Sequence, residues 1–241
     1  MATKIILQEE VDLSNCTFIS GFHGIGLAGF IAVKHLIKKL KAKRIGFLES
    51  RLLPPFISID VDNNIITPFE FFKYNNCIFF LTEFPPYEKE MYTLSKVLAD
   101  WIVNNKFSKA ILIGGLDKRF KHSEEISCKF IMTSAFKKAG FIAKELPILD
   151  SGLHAFGLLA LLLARFEIRN FPALAILPYA DASRPDPLAA SVAIDFLNKF
   201  LGLNVDTSEL IRDAERIEQE IKAIQQLAKK LKAPHEKTLY M

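Results

Sequence analysis

Residues 21–30 read GFHGIGLAGF, and this glycine-rich stretch determines how the sequence around it is interpreted. The preceding run, residues 16–20, is apolar and typical of a β-strand. Residues 26–40 are typical of a helix and end in lysines, which suit a helix C-terminus. A strand, a glycine turn and a helix in this order predict the start of an α/β fold.

Two interpretations of the glycine turn remain open. Gly24, Gly26 and Gly29 form a GxGxxG motif, as in dinucleotide-binding folds, where the backbone approaches a pyrophosphate at the helix N-terminus. Glu49, at the end of the next predicted strand, would then hold a ribose. Alternatively, the glycines pack the helix tightly on the sheet. The extra residues 21–23 before the motif and the Leu53-Pro54-Pro55 break after it favour this packing interpretation.

Short apolar runs and helical stretches continue to alternate along the chain. This alternation predicts an α/β protein in which helices cover both faces of a sheet, a three-layer αβα sandwich. We assign residues 1–205 to this core domain. The expected elements are strands at 44–49, 77–81 and 110–113, a hairpin about Asp62-Asn63-Asn64, and helices at 92–104 and 153–164.

The sequence pattern changes after Asp206. Asp206-Thr207-Ser208-Glu209 resembles a capping box, and no glycine or proline follows until Pro234. We therefore expect a long amphipathic helix over residues 206–233, about 40 Å in length. A heptad seam for oligomerisation follows from the spacing of Leu210, Ala214, Ile217, Ile221, Ile224, Ala228 and Leu231. This helix either associates with other copies or docks on its own domain.

Residues 234–241 form the predicted tail, which ends in Leu239, Tyr240 and Met241. Pro234 stops the helix, so the tail is a short flexible tether that carries two apolar side chains, a tyrosine and a terminal carboxylate. Such a segment can enter a pocket on another protein. A frayed terminus is the alternative.

Composition excludes several classes of function. The net charge is only +4, from 31 basic and 27 acidic residues, so we expect no nucleic-acid binding. Three widely spaced cysteines and five scattered histidines provide no metal-ligand pattern, so we expect reduced thiols, no metal and no cofactor. We find no signal-peptide segment, and the most apolar run is too short to span a bilayer, so we expect a cytoplasmic protein without membrane contact.

Hydrolytic side chains also occur, but without a recognisable arrangement. Ser151 and His154 have Asp150 beside them and Asp181 and Asp186 further along, yet Ser151 lies outside a GxSxG elbow. A turn at Asp150-Ser151-Gly152 that caps the following apolar helix is the simpler interpretation.

Taken together, these motifs resemble the proteasome assembly chaperone family, in its archaeal branch related to proteasome assembly chaperone 2. The resemblance covers nearly the whole chain. Its motifs, in order, are GFHGIGLAG, Leu53-Pro54-Pro55, Thr82-Glu83-Phe84-Pro85 after CIFFL, ILIGG, Ser151-Gly152-Leu153 and Asp186-Pro187-Leu188-Ala189-Ala190. The family's first motif usually has a proline where this chain has His23.

The resemblance implies a non-enzymatic, ATP-independent protein that binds the α subunits of the proteasome core particle. Family members of this branch form ring-like homo-oligomers, so we expect a tetramer or pentamer. They end in a hydrophobic-Tyr-X tail, and Leu239, Tyr240 and Met241 match it position by position. By this resemblance Leu239 fills an apolar groove, Tyr240 orders a gate loop, and the Met241 carboxylate pairs with a lysine. The alternative function is a nucleotide- or dinucleotide-binding enzyme that uses the glycine turn.

Overall fold

A computed structural model of the chain describes residues 3–143 and 145–212, with residues 216, 219, 222–224 and 226 beyond them. The strands of this part are β1 (Lys4–Leu7), β2 (Thr17–Gly21), β3 (Lys43–Glu49), β4 (Ser58–Ile59), β5 (Ile65–Ile66), β6 (Phe69–Tyr74), β7 (Cys77–Thr82), β8 (Lys109–Ile113), β9 (Leu116–Asp117), β10 (Cys128–Met132) and β11 (Ala173–Ala180). The helices are α1 (Ala28–Leu40), α2 (Glu88–Asn104), α3 (Ser134–Ala139), α4 (Gly157–Ile168), α5 (Pro187–Leu201) and α6 (Ser208–Arg212).

The main sheet is mixed, with a parallel centre and antiparallel margins. Its strand order is β1-β3-β6-β7-β2-β8-β11-β10, and β9 extends it beside the end of β11. The central strands β7, β2, β8 and β11 are parallel. At the margins, β6, β3, β1 and β10 each pair antiparallel with the neighbouring strand on the side of the sheet centre.

Helices cover both faces of the sheet, which confirms the predicted three-layer αβα sandwich. Alternate residues of a strand point to opposite faces. Phe18 of β2 accordingly packs with α2 and α4, whereas the next residue, Ile19, packs with α1 and α5. Because the central strands are buried on both faces, they are continuously apolar, as in CIFFL of β7. Each fully buried Leu or Phe contributes about 1.5–3 kcal/mol relative to an exposed one.

The central strands define two ends of the molecule. We call the side where β2, β7, β8 and β11 end the carboxyl edge, and the opposite side the amino edge. Helix α1 starts at the carboxyl edge and ends at the amino edge. Lys39, near the end of α1, pairs with Glu209 at 2.6 Å, and His35 lies 2.8 Å from the Asp206 carbonyl oxygen, so α6 begins near the amino edge.

The predicted hairpin is confirmed and forms a separate two-stranded ribbon, β4–β5, at the carboxyl edge. The Asp60 carboxylate closes its turn by accepting from the backbone N–H groups of Asp62 at 2.9 Å and Asn64 at 2.7 Å. Asn63 has a φ of 62°, in the left-handed region that asparagine tolerates.

The apolar helix begins later than predicted. Residues 153–156 are not helical, and α4 starts only at Gly157. The Leu153 N–H donates to the Asp150 carbonyl at 3.1 Å and closes a turn, so the predicted turn is confirmed. The predicted cap is wrong, because α4 has no side-chain cap and Phe156 occupies the N-cap position. A φ of 74° at Gly157 lets the chain enter the helix from this extended segment.

The long C-terminal helix stays a prediction. Its described part is α6, with helical geometry also at residues 216, 219, 222–224 and 226. The tail, residues 234–241, lies outside the described residues. None of the helices in the described part of the chain has both the length and the apolar character needed to span a bilayer.

Candidate functional site

The glycine turn lies at the carboxyl edge, between the end of β2 and the start of α1. In parallel sheets, crevices for ligands form outside this edge. The segments after β7, β8 and β11 reach the same edge, because those strands run parallel to β2. We therefore regard the glycine turn and its neighbours as the candidate functional site.

Two of the three motif glycines are required by close packing. A Cβ atom on Gly29 would lie 2.1 Å from the Ile113 carbonyl oxygen at the end of β8. Gly26 has a φ of 60°, and a Cβ there would lie 2.6 Å from the Ala180 Cβ. Gly24, in contrast, has no neighbour within 4 Å of such an atom among the described residues. Gly29 thus lets α1 pack directly on the backbone of β8, and Gly26 lets the turn before α1 pack against Ala180 at the end of β11.

Glu49 lies far from the glycine turn. It ends β3, and β6 and β7 separate β3 from β2. Three strand spacings amount to about 14 Å. The Glu49 carboxylate instead pairs with Lys4 of the neighbouring β1 at 3.2 Å. The structure therefore does not bring Gly24, Gly26, Gly29 and Glu49 into one dinucleotide site.

His23, which stands where the family usually has proline, is partly buried beside the glycine turn. Its ring stacks on Phe30 with centroids 4.4 Å apart, and its Nδ1 lies 3.4 Å from the Thr82 hydroxyl. Burial, and then the nearby charge of Lys34, lower the pKa of His23 to about 3, so the imidazole is neutral at neutral pH. Its Nε2 is buried and has no hydrogen-bond partner among the described residues.

An ion pair connects α1 to the end of β7. The Lys34 ammonium lies 2.7 Å from the buried Glu83 carboxylate, and the lysine side chain is half exposed. Glu83 belongs to the Thr82-Glu83-Phe84-Pro85 motif, so the pair connects one of the segments on which the family resemblance rests to α1. Sequence reasoning missed this contact, because the two residues are far apart in the chain.

A cavity of about 210 Å³ lies behind the glycine turn. Its walls are mainly apolar, with contributions from Phe22, Pro85, Met91, Leu159 and Leu177, and the side chains of His23 and His154 also line it. Phe156 on its wall is 81% exposed. The cavity can accept a small apolar group, and nothing in its lining supplies a strong charge.

The hydrolytic side chains are held in separate contacts. Asp150 pairs with Lys129 at 2.7 Å, and Asp181 pairs with Lys118 at 2.8 Å. Hydrogen bonds from Lys118 and Ser183 lower the pKa of Asp181. Asp186 caps α5 by accepting from the Ala189 N–H at 3.1 Å. No hydrogen bond joins Ser151, His154 and an aspartate within the described part of the chain, so the arrangement of a hydrolytic triad is missing there.

The expectations of reduced, buried thiols and of no metal site can be checked only among the described residues. The three cysteines are buried and free. Burial raises the pKa of Cys77 and Cys128 to about 11, which makes both unreactive at neutral pH. Among the described residues, no group of three or more His, Cys, Asp or Glu side chains is placed to hold a metal ion.

Most of the predicted partner-binding and oligomerisation residues lie outside the described residues. These are Leu239, Tyr240 and Met241 of the tail and Ala214, Ile217, Ile221, Ala228 and Leu231 of the seam. Ile224 is half-buried. Leu210, the first seam residue, is 2% exposed and packs with α5 of its own domain, so this position is already covered within one copy.

Sequence reasoning also did not identify the exposed face of the β4–β5 ribbon. Ile57, Ile59, Val61 and Ile65 are 66, 66, 97 and 53% exposed, respectively. We call these four side chains the aliphatic ribbon face. The alternation of large aliphatic residues at 57, 59 and 61 was the signal that could have revealed it.

Comparisons with known proteins agree on one fold. PbaA of Pyrococcus furiosus, described as an archaeal homolog of proteasome-assembly chaperone, is 26% identical with a TM-score of 0.83 over 95% of this chain and 99% of that one. PbaB of the same organism, described as an archaeal proteasome activator, is 21% identical with a TM-score of 0.70 over 93% and 99%, a likeness that concerns the fold alone. An uncharacterised protein of Methanocaldococcus jannaschii is 24% identical over 92% of this chain and 90% of its own length.

The family is defined by the sequence match itself. A profile described as the PAC2 family matches residues 18–225, a segment that begins in β2, includes the glycine turn and both helical layers, and extends beyond α6. Because the match spans most of the sequence, the chain belongs to the PAC2 family.

Proposed function

We propose that this protein is a non-enzymatic, ATP-independent partner of the proteasome core particle, acting in its assembly or in opening its gate. Membership of the PAC2 family and the likeness to PbaA, a homolog of proteasome-assembly chaperone, support this role. The observation that carries it is the last three residues, Leu239-Tyr240-Met241, which match the hydrophobic-Tyr-X tail at the extreme C-terminus.

The chemistry of the tail fits docking between α subunits of the core particle. Leu239 supplies an apolar side chain and Tyr240 a ring with a hydroxyl group. Met241 supplies the terminal carboxylate, which pairs with a lysine in a pocket. The protein then acts in the cytoplasm, where it meets the assembling particle.

Several tails have to act together for tight binding. One flexible segment binds weakly, because ordering it costs conformational entropy. A ring of four or five copies raises the effective concentration of the remaining tails once one is bound. The seam residues Leu210, Ala214, Ile217, Ile221, Ile224, Ala228 and Leu231 are one candidate for gathering the copies.

The exposed surface of the domain supports a role in protein binding. The aliphatic ribbon face is of the kind that protein partners cover. The candidate catalytic groups, in contrast, are engaged in structural contacts, as with Asp150, Asp181 and Asp186. The dinucleotide alternative loses its ribose-binding residue, because Glu49 lies three strand spacings from the glycine turn.

The test is binding to an archaeal core particle by the full chain and by a variant that lacks Leu239-Tyr240-Met241. We expect the deletion to abolish binding, and a Thr238→Ala variant to bind like the wild type. Cleavage of a gated peptide in the same samples separates activation, which accelerates it, from assembly, which does not. Retained binding after the deletion would overturn the proposal.

A further inference from the structure

The outward face of the β4–β5 ribbon is more apolar than its place in the fold explains. From 56 to 61 half-buried and exposed residues alternate, so Ile57, Ile59 and Val61 share the outward face. Ile65 joins them, because it pairs with Ile59 across the ribbon. A ribbon with this side in water normally carries polar residues there.

The ribbon is held firmly from its inner side. Phe56 stacks on Phe84 with centroids 5.2 Å apart, and the Arg44 guanidinium donates to the Ile65 carbonyl at 2.7 Å. The turn is closed by Asp60. An isolated two-stranded ribbon is only marginally stable in water, so packing on the outer side would complete it. The aliphatic ribbon face is thus presented in a fixed orientation and, among the described residues, lacks a covering element.

Its size suits an interface between proteins. With Leu52 and Leu53 at its base, which are also partly exposed, the apolar patch is on the order of 500 Å², near the largest that soluble monomers usually expose. Interfaces are a little over half apolar in area, so such a patch implies about 900 Å² per partner. Two copies would together bury about 1,800 Å², within the range of stable interfaces.

We propose that two copies of this chain pack with their aliphatic ribbon faces against each other about a two-fold axis. The four side chains of the face carry no charge. The Asp60 and Asp62 carboxylates of the turn remain charged and border the face, so a two-fold contact has to keep the two turns apart. A two-fold contact requires a patch that is complementary to itself, and an uncharged aliphatic surface meets this requirement.

The rest of the molecule favours this surface over the heptad seam. Leu210, where the seam begins, is already covered by its own domain. The ribbon projects at the carboxyl edge, whereas α6 begins near the amino edge. A contact through the ribbons therefore leaves the start of α6 outside the contact. The inference rests on the proposed function and deepens it by naming where two copies meet. Of the four-membered and five-membered assemblies considered there, it is compatible only with four copies, because a two-fold contact pairs the copies.

Sedimentation velocity of the full chain tests the contact. We expect the wild type to be oligomeric, and the double variant Ile59→Lys, Val61→Lys to raise the dissociation constant at least tenfold. Both side chains are largely exposed, so the fold should persist, which circular dichroism checks. Ile168→Lys is the matched control, because Ile168 is an isoleucine, 84% exposed, at the end of α4. It should sediment like the wild type.

Other results would overturn the proposal. These are a monomeric wild type, or a folded double variant of unchanged mass. Unchanged mass with lost binding to the core particle would mean that the core particle covers the face instead. The proposed function can fail separately from this contact. That is the case if the double variant dissociates into smaller species but deleting Leu239-Tyr240-Met241 leaves core-particle binding unchanged. The contact between ribbons is then supported and the proteasome role is not.

Cross-linking tests the two-fold geometry directly. All three native cysteines are buried, so Val61→Cys introduces an exposed thiol at a position that is 97% exposed. With a short bismaleimide we expect a covalent dimer on a denaturing gel. Ile168→Cys should give little dimer. Equal yields from the two variants would exclude a contact between ribbon faces.

Discussion

At the residue scale, Gly29 tests whether the glycine turn is a packing device. An alanine Cβ would lie 2.1 Å from the Ile113 carbonyl oxygen, a backbone atom that cannot move aside. In a helix, alanine is normally more favourable than glycine by about 1 kcal/mol. The clash outweighs this gain, so the substitution lowers the free energy of unfolding. We expect Gly29→Ala to lower the free energy of unfolding by about 3 kcal/mol, as overpacking does. Urea denaturation measures this change.

Gly24 provides the matched control within the same motif. Open space surrounds the position that a methyl group would take there, and its φ of −113° is one that any residue adopts. Gly24→Ala should therefore change the free energy of unfolding by less than about 1 kcal/mol. Equal losses at Gly24 and Gly29 would contradict the packing interpretation.

Single residues also show where sequence reasoning reaches its limit. The GxGxxG pattern correctly indicated a strand, a turn and a helix, because the close approach of α1 to β8 demands glycine. The interpretation of the motif as a dinucleotide site also required Glu49 to lie near the turn. The order of the strands in the sheet sets that distance. That order arises because β6 and β7 insert between β3 and β2, a pairing between distant residues that no local pattern encodes.

At the element scale, α6 separates a helix docked on its own domain from one that joins copies. Leu210 is 2% exposed, whereas its neighbour Ile211 is 54% exposed. We expect Leu210→Ala to lower the free energy of unfolding by about 2–4 kcal/mol through the cavity it leaves. Ile211→Ala should cost less than about 1 kcal/mol, because its side chain already contacts water.

Urea denaturation at two protein concentrations distinguishes the two roles of α6. A loss of stability within one copy is independent of protein concentration, whereas a loss at an interface between copies changes with it, because dilution dissociates the copies. A concentration-dependent effect of Leu210→Ala would mean that the seam begins at this residue after all.

The elements themselves were predictable to different degrees. The hairpin was evident, since Asp60 and the Asp62-Asn63-Asn64 segment carry the chemistry of a turn. The start of α4 was not, because His154 and Phe156 are compatible with a helix, yet the chain enters α4 only at Gly157, which has a φ of 74°. Local propensity thus identified the elements but not every boundary.

At the scale of the whole molecule, the two edges have different surfaces. The carboxyl edge carries the aliphatic ribbon face and the cavity, whereas α6 begins near the amino edge. The three-layer sandwich followed from alternating strands and helices, but this polarity did not. It depends on which loops project at each edge, and that becomes known only once the strand directions are fixed.

Under the proposed function, the strength of tail binding is a property of the assembly rather than of one tail. A synthetic peptide of residues 234–241 presents the tail alone, without the effective concentration that linked copies provide. We expect it to bind the core particle at least about 100-fold more weakly than the full protein, because avidity typically contributes a factor of 10²–10⁴. Fluorescence anisotropy of the labelled peptide, with unlabelled protein as competitor, measures both affinities.

The peptide with Tyr240→Ala serves as control, and it should lose the remaining binding if the tyrosine ring docks in the pocket. A wild-type peptide that binds as tightly as the full protein would show that the oligomer does not raise the affinity for the core particle. It would contradict the proposal that several tails act together. A full protein that competes although its own Tyr240 is replaced would instead place the contact elsewhere on the domain, with the aliphatic ribbon face as the next surface to test.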